Sequence, residues 1–204
     1  MTARSTIRGA IAGALALCTL AACGGSAREL AGYSVDPVPA VGAVALPDLT
    51  AGGADFPFVA KQDDLLVVYF GYTNCPDACP TTMSNVKLAR QRLDDPGRVQ
   101  VAMVSIDPDR DLDVLADYVT SFVADGHALG TADQTALRKA ADAFGVSYDV
   151  TTGADGKPEV AHTTLLYAID DTGHVVLAWP LGVGIDDLAA DFDQLLGHKP
   201  SGGY

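Results

Sequence analysis

Two of the four cysteines in this 204-residue chain, Cys75 and Cys79, are separated by three residues in the run Cys75-Pro76-Asp77-Ala78-Cys79-Pro80. Thiols at that spacing sit about one helical turn apart. They can close a disulfide if the loop cooperates, or hold one soft metal ion between them. Either thiol can also exchange with disulfides once it loses its proton, and a helix N-terminus favours the thiolate. A plain stabilising disulfide is the alternative, although closing so short a loop restricts the unfolded chain very little. Zinc has an equal claim on the spacing, but two cysteines are only half of a four-ligand zinc shell.

A third donor has to come from elsewhere in the chain. Of the four histidines, His174 lies beside a turn and His198 in the C-terminal tail, so both read as solvated surface. His127, in a glycine-flanked loop, reads the same way. His162 follows the polar stretch 151–159 at the entry to a strand-like run, where it is either a ligand or an ordinary strand-end residue. Two thiolates and one imidazole suit trigonal Cu(I), and Cu(II) tolerates the same set, so Cys75, Cys79 and His162 form a candidate copper site. Met83, one turn beyond Cys79, reads as core filler rather than a thioether ligand.

The elements that must position these residues follow from periodicity. Residues 65–70, Leu-Leu-Val-Val-Tyr-Phe, predict a central strand buried on both faces. The cysteine run follows at its carboxyl end, where open α/β sheets place ligands. From Pro80 the spacing of Met83, Val86, Ala89 and Leu93 predicts a helix. Residues 99–106 predict a second strand, stopped by Asp107-Pro108, and Leu112, Leu115, Val119 and Phe122 predict a second helix with Asp111 as its N-cap. A third helix is expected over 133–144 with Gly145 as its stop. Residues 162–169 and 174–179 predict two strands joined by a short turn, and Ile185, Leu188, Phe192 and Leu195 a last helix. The order predicts an α/β fold of thioredoxin-like type, a central mixed sheet flanked by helices.

The chain opens with Arg4 and Arg8 ahead of an apolar run to Ala22, the pattern of a secretory signal too short for a typical membrane span. It ends in Leu20-Ala21-Ala22-Cys23-Gly24, which resembles a bacterial lipobox. Residues 1–22 are therefore expected to be a lipoprotein signal containing Cys18, Cys23 the lipidated residue, 23–44 a flexible Gly/Ala/Pro-rich tether, and 45–204 the folded domain. This places the domain on the extracytoplasmic face of the cell membrane. Without Arg4 and Arg8 the 13 basic residues become 11 against 26 acidic ones, a formal charge of −15. Nucleic acid and anionic lipid headgroups are poor partners for such a surface, whereas a metal cation or a cationic protein face suits it.

Residues 71–80, Gly-Tyr-Thr-Asn-Cys-Pro-Asp-Ala-Cys-Pro, resemble the signature of the Sco/SenC family, thioredoxin-fold copper proteins that assist assembly of the CuA centre of cytochrome c oxidase. The resemblance continues through 104–111, Val-Ser-Ile-Asp-Pro-Asp-Arg-Asp, and 162–167, His-Thr-Thr-Leu-Leu-Tyr. It implies copper bound by Cys75, Cys79 and His162, and the copper-bearing oxidase subunit as partner. The chain departs from the family at Ala161, where an acid usually precedes the histidine. That loss is expected to loosen His162 and to weaken copper binding by about ten- to a hundredfold. The resemblance favours a metal-binding assembly factor over an enzyme. The alternative is a thiol-disulfide oxidoreductase acting on oxidase or other exported cysteines, against which stand the Cys-x3-Cys spacing and the absence of a proline before His162. Peroxide reduction ranks last, because no activating constellation is evident.

Overall fold

The structure, a computed structural model, describes residues 28–197. The expected lipoprotein signal over residues 1–22, Cys23 and His198 lie outside the described residues. A hairpin comes first, β1 (Ala45–Asp48) and β2 (Ala54–Pro57), then β3 (Leu65–Gly71), α1 (Ala78–Arg90), β4 (Val99–Ser105), a single turn α2 (Pro108–Asp111), α3 (Leu115–Phe122), β5 (His127–Leu129) and α4 (Gln134–Phe144). The chain continues through β6 (Tyr148–Thr152), β7 (Pro158–His162), β8 (Leu166–Ile169), β9 (Val175–Trp179) and α5 (Ile185–Gly197). Seven strands form one mixed sheet in the order β2-β1-β5-β4-β3-β8-β9, and β6 pairs with β7 in a separate two-stranded ribbon.

All seven residues of β3 are buried, which is why the sequence reads as an uninterrupted apolar run. The pleat sends them alternately to two cores. Leu66, Val68 and Phe70 join α4 through Leu137, Ala140 and Phe144 on one face. Val67 and Tyr69 join Met83, Val86, Leu115, Val119, Leu188 and Phe192, from α1, α3 and α5, on the other. The register Leu65↔Val99 to Gly71↔Ser105 runs β3 and β4 in parallel, so both deliver their carboxyl ends to the same edge of the sheet. Helix α4 has the caps its sequence announces: Asp133 accepts from the N–H groups of Thr135 and Ala136, and Gly145 takes the left-handed conformation at φ 68°.

The sequence reading needs correction in four places. First, the polar stretch 151–159 is the tip of the β6–β7 ribbon, the end of β6 and the start of β7 joined by the turn 153–157, and the alternation of these strands is hidden because their residues are largely exposed. Second, the run 162–169 is two strands, with His162 ending β7 and β8 starting at Leu166. Third, Asp111 is no N-cap: it closes α2 and is fully buried, and α3 begins at Leu115. Fourth, residues 28–44 are not a free tether. Tyr33 pairs with Ala178 and Ala40 with His174, laying this segment along the outer edge of β9, and Val41 is fully buried. Covering a sheet edge satisfies backbone groups that would otherwise invite pairing with another chain.

Asp191 on α5 fastens this strap. Fully buried, it accepts hydrogen bonds from the N–H groups of Ala31 and Gly32, from the indole N–H of Trp179 and from Arg28. Replacing Asp191 with alanine strands the buried indole N–H of Trp179 and removes the acceptor that holds the partly buried N–H groups of the strap, so Asp191→Ala is expected to cost about 3 kcal/mol in urea denaturation. Arg28→Ala is expected to cost much less, because the guanidinium is 41% exposed and screened by water. Equal losses from both variants would mean that Asp191 does not anchor the segment.

Candidate metal and thiol site

Where β3 ends, the chain turns through residues 72–77 into α1, and the cysteines straddle that turn. Cys75 lies in the loop and is partly exposed, whereas Cys79 is the second residue of the helix and is fully buried; both are free thiols. The first N–H groups of a helix have no partner within it. Asp77, at the N-cap position, offers its side chain to the Thr81 hydroxyl and to no helix N–H, and the backbone N–H of Cys79 donates instead to Cys75 Sγ at 3.3 Å. The sulfur of Cys75 thus takes up an acceptor role that an N-cap side chain usually fills.

The two thiols consequently differ in acidity. Burial works against a thiolate at Cys75, but the Cys79 thiol, the N–H groups of Cys79 and Asp77 and the Tyr72 hydroxyl outweigh it and hold the group below the ordinary thiol value. At Cys79 burial dominates, and the pKa is pushed up to about 12. Tyr69 hydrogen-bonds Cys79 Sγ through its hydroxyl at 3.7 Å. Its phenol is itself held well above its ordinary value, by burial first and then by the neighbouring Cys79.

His162 arrives on the end of β7. Its ring meets Tyr69 edge-on at 6.2 Å between centroids and Tyr72 at 6.0 Å. Tyr69 therefore touches both Cys79 and His162. The Nδ1 of His162 lies 2.8 Å from the Thr163 carbonyl oxygen, which can only accept, so Nδ1 carries the proton and Nε2 keeps its lone pair. Burial lowers the pKa of the ring, opposed by this hydrogen bond, so His162 is neutral at neutral pH. The carbonyl fixes the tautomer, one of the tasks that an adjacent carboxylate performs around metal-binding histidines. Ala161 lies opposite Asp149 in the ribbon.

Among the described residues no three Cys, His, Asp or Glu side chains stand close enough to share a metal ion. The fold brings the cysteines together and His162 to the same cluster of tyrosines, without closing the imidazole onto the sulfurs. A groove of about 530 Å³ opens beside them, lined by Tyr72, Asn74, Pro76, Arg110, Glu159 and Ala161 among others. Met83 is fully buried core, as its spacing implies. His174 stands in the turn before β9, and its Nδ1 lies 2.8 Å from Thr172 Oγ1. His127 is not free surface: it opens β5, and its Nδ1 lies 2.7 Å from Oδ2 of buried Asp48. Its register partner Ala102 lies three residues before the end of β4, away from the cysteine edge.

Sequence reasoning missed Tyr69 and Tyr72 and read Asp111 only as a helix cap. Both Asp111 oxygens accept from the backbone N–H of Thr73, and the Thr73 and Ser105 hydroxyls donate to it at 2.6 and 2.7 Å. Burial raises its pKa against the pull of those bonds. A signal for Tyr69 was present in the alternation along β3, which points it toward the face covered by α1.

A thioredoxin-like sheet with a thiol pair at a helix N-terminus and a histidine facing it defines the class of protein. Residues 60–197 match the SCO1/SenC family model, and the chain belongs to that family. The SCO2-like protein of Rickettsia felis is 30% identical over 120 residues, covering 55% of this chain and 56% of that one. The chain thus spans a little over half the length of the curated relatives that it matches most strongly. Apo Sco1 from Thermus thermophilus shares the fold with a TM-score of 0.71 and 30% identity, over 84% of this chain and 99% of that one. Bradyrhizobium japonicum ScoI, a structure with copper bound, is similar at a TM-score of 0.65 and 26% identity, over 74% of this chain and 96% of that one.

The difference between the thiols is directly measurable. Under native conditions Cys75 is expected to react with iodoacetamide at least about tenfold faster than Cys79, with a pH midpoint below that of a free thiol. Peptide-resolved mass spectrometry reads both rates. Equal rates, or faster modification of Cys79, would contradict the geometry.

Proposed function

We propose that this chain is a copper carrier, held on the extracytoplasmic face of the cell membrane by lipid on Cys23, that takes up one copper ion through Cys75, Cys79 and His162 and passes it to a copper-bearing subunit of cytochrome c oxidase. The observation that carries this reading is the arrangement around Tyr69: two free thiols at one helix N-terminus, Cys75 Sγ accepting from the N–H of Cys79, and an imidazole whose Nε2 is kept unprotonated by the Thr163 carbonyl. Copper is the cargo. Two soft thiolates and one imidazole fit Cu(I), and the family membership together with a relative that has copper bound supports the same ion. Binding requires the sulfurs and His162 to draw together, and it requires both thiols to lose their protons. A cation replacing the proton on Cys79 offsets the burial that makes its free thiolate unfavourable. No helix among the described residues is long and apolar enough to cross a membrane; in this reading the acyl chains on Cys23 would supply the attachment.

One observation favours a second reading. An exposed thiol of lowered pKa beside a buried one of raised pKa is the division of labour of a disulfide reductase. Cys75 thiolate would attack a partner's disulfide and release one partner thiolate. Cys79 would then attack the mixed disulfide, leaving the partner as a dithiol and Cys75 and Cys79 as a disulfide.

Copper stoichiometry and absorption spectra of reduced protein, measured with His162→Ala and Cys79→Ser, separate the two. About one copper per chain with sulfur charge-transfer bands in the cupric form, lost in both variants, is the expected result. Copper uptake should also fall as pH drops, because protons compete for the sulfurs. Uptake indifferent to His162, with disulfide exchange intact, would establish the reductase and remove the metal site.

A further inference from the structure

Helix α2 is only one turn long, yet it ends in a carboxylate with no exposed surface. Asp111 faces inward, toward the point where β3 gives way to the cysteine loop, and its donors come from two elements that converge there. Thr73, two residues before Cys75, supplies its backbone N–H at 3.1 and 3.2 Å and its hydroxyl at 2.6 Å. Ser105, the last residue of β4, supplies its hydroxyl at 2.7 Å and at the same time accepts from the N–H of Asp107 at 3.1 Å. An ionised carboxylate only accepts, and here its two oxygens satisfy three donors. The neighbouring Arg110 is engaged with Asp107 on the same turn.

We propose that Asp111 is a positioning residue for the cysteine pair, holding the loop at Thr73 so that Cys75 meets the N–H of Cys79. The chain between this grip and the sulfur is short. From Thr73 only Asn74 intervenes before Cys75, whose own N–H donates to the Tyr72 carbonyl at 3.4 Å. Releasing Thr73 frees the loop that sets the Sγ position, and a site whose ligands are loosely held forfeits affinity. No other side chain is seen to accept from the Thr73 N–H, so the loop has no second fastening of this kind among the described residues.

This inference rests on the copper reading, but its test separates the two. Cu(I) affinity of the purified full-length chain is measured by competition with a chromophoric chelator, alongside the equilibrium of its dithiol with glutathione and a thermal melt. Asp111→Ala is expected to weaken Cu(I) by about ten- to a hundredfold, the range of losses beyond the ligand shell. Asp111→Asn should recover most of it, since its amide oxygen still accepts from Thr73 and its NH2 can donate to Ser105. Thr73→Val removes the hydroxyl at constant shape and should show a smaller loss in the same direction, which keeps the test decisive if Asp111→Ala fails to fold. Affinities of Thr73→Val and any folded Asp111→Ala within about threefold of the unsubstituted chain would overturn the proposal, as would failure of Asp111→Asn to recover, which would mark a merely structural role. If the unsubstituted chain binds no copper, the copper reading fails, and the glutathione equilibrium decides positioning instead: a tenfold shift in the variants, about 30 mV, supports it, and no shift overturns it.

Discussion

The close approach of α1 to the end of β3 at Gly71 governs the site. A side chain there would begin 2.7 Å from the ring of Tyr69, 3.0 Å from Cys79 Sγ and 3.1 Å from the terminal methyl of Met103. All three atoms belong to buried side chains, and neither the Tyr69 ring nor the Cys79 sulfur can swing aside without opening the core. Only because residue 71 lacks a Cβ can the first turn of the helix settle onto the strand end. That contact buries Cys79, brings its sulfur to the Tyr69 hydroxyl, and leaves Cys75 on the outward side of the turn. The carbonyl of Gly71 also accepts from the N–H of Ile106, so the same residue ties β4 to β3 just before the strands diverge toward Asp111.

The difference between the cysteines follows from that contact. Both lie near the same helix terminus, whose free N–H groups favour negative charge. Cys75 is reached by those groups and by Tyr72, whereas Cys79 sits under them, in the core, where desolvation outweighs any help. One motif therefore contains a sulfur ready to act and one held in reserve. The tyrosines sharpen the contrast. Tyr69 stands between Cys79 and His162, and Tyr72, whose own pKa is raised to about 12 by burial first and then by Cys75, remains a protonated hydroxyl at the mouth of the groove.

The central elements were legible because they are governed by burial. The run 65–70 reads as a strand covered on both faces, and the helices are legible by their spacing, α4 also by its caps. What escaped were elements whose residues face water or make their bonds over long distances. In β6 only Tyr148 is buried, and in β7 no residue is, so the ribbon that carries His162 has no alternation to read. The strap over 28–44 was taken for a tether because its composition is that of one, and the carboxylate that fastens it lies some 160 positions away in sequence. Asp111 was mistaken for a cap for a related reason. An aspartate after a proline turn ordinarily closes on its own helix, and nothing local reveals that its partners are Thr73 and Ser105.

The histidine bears differently on the two chemistries that the cysteines alone support. A disulfide exchanger would use an imidazole held neutral with Nε2 unprotonated as a base for a thiol, whereas a thiolate pair that must enclose a soft cation would use it as a third neutral donor. On the other side of His162 from Ala161, the Thr163 carbonyl sets the ring's tautomer without a carboxylate. A carbonyl carries no full charge, so it orients the ring while adding less to its basicity than an acid would. In the proposed copper site such a histidine would combine firm control of orientation with modest donor strength at nitrogen, and most of the pull on the metal would fall to the two sulfurs. That balance would suit an ion that is to be handed on, since ligand exchange at the weaker donor would open the site while the thiolates still held the cargo.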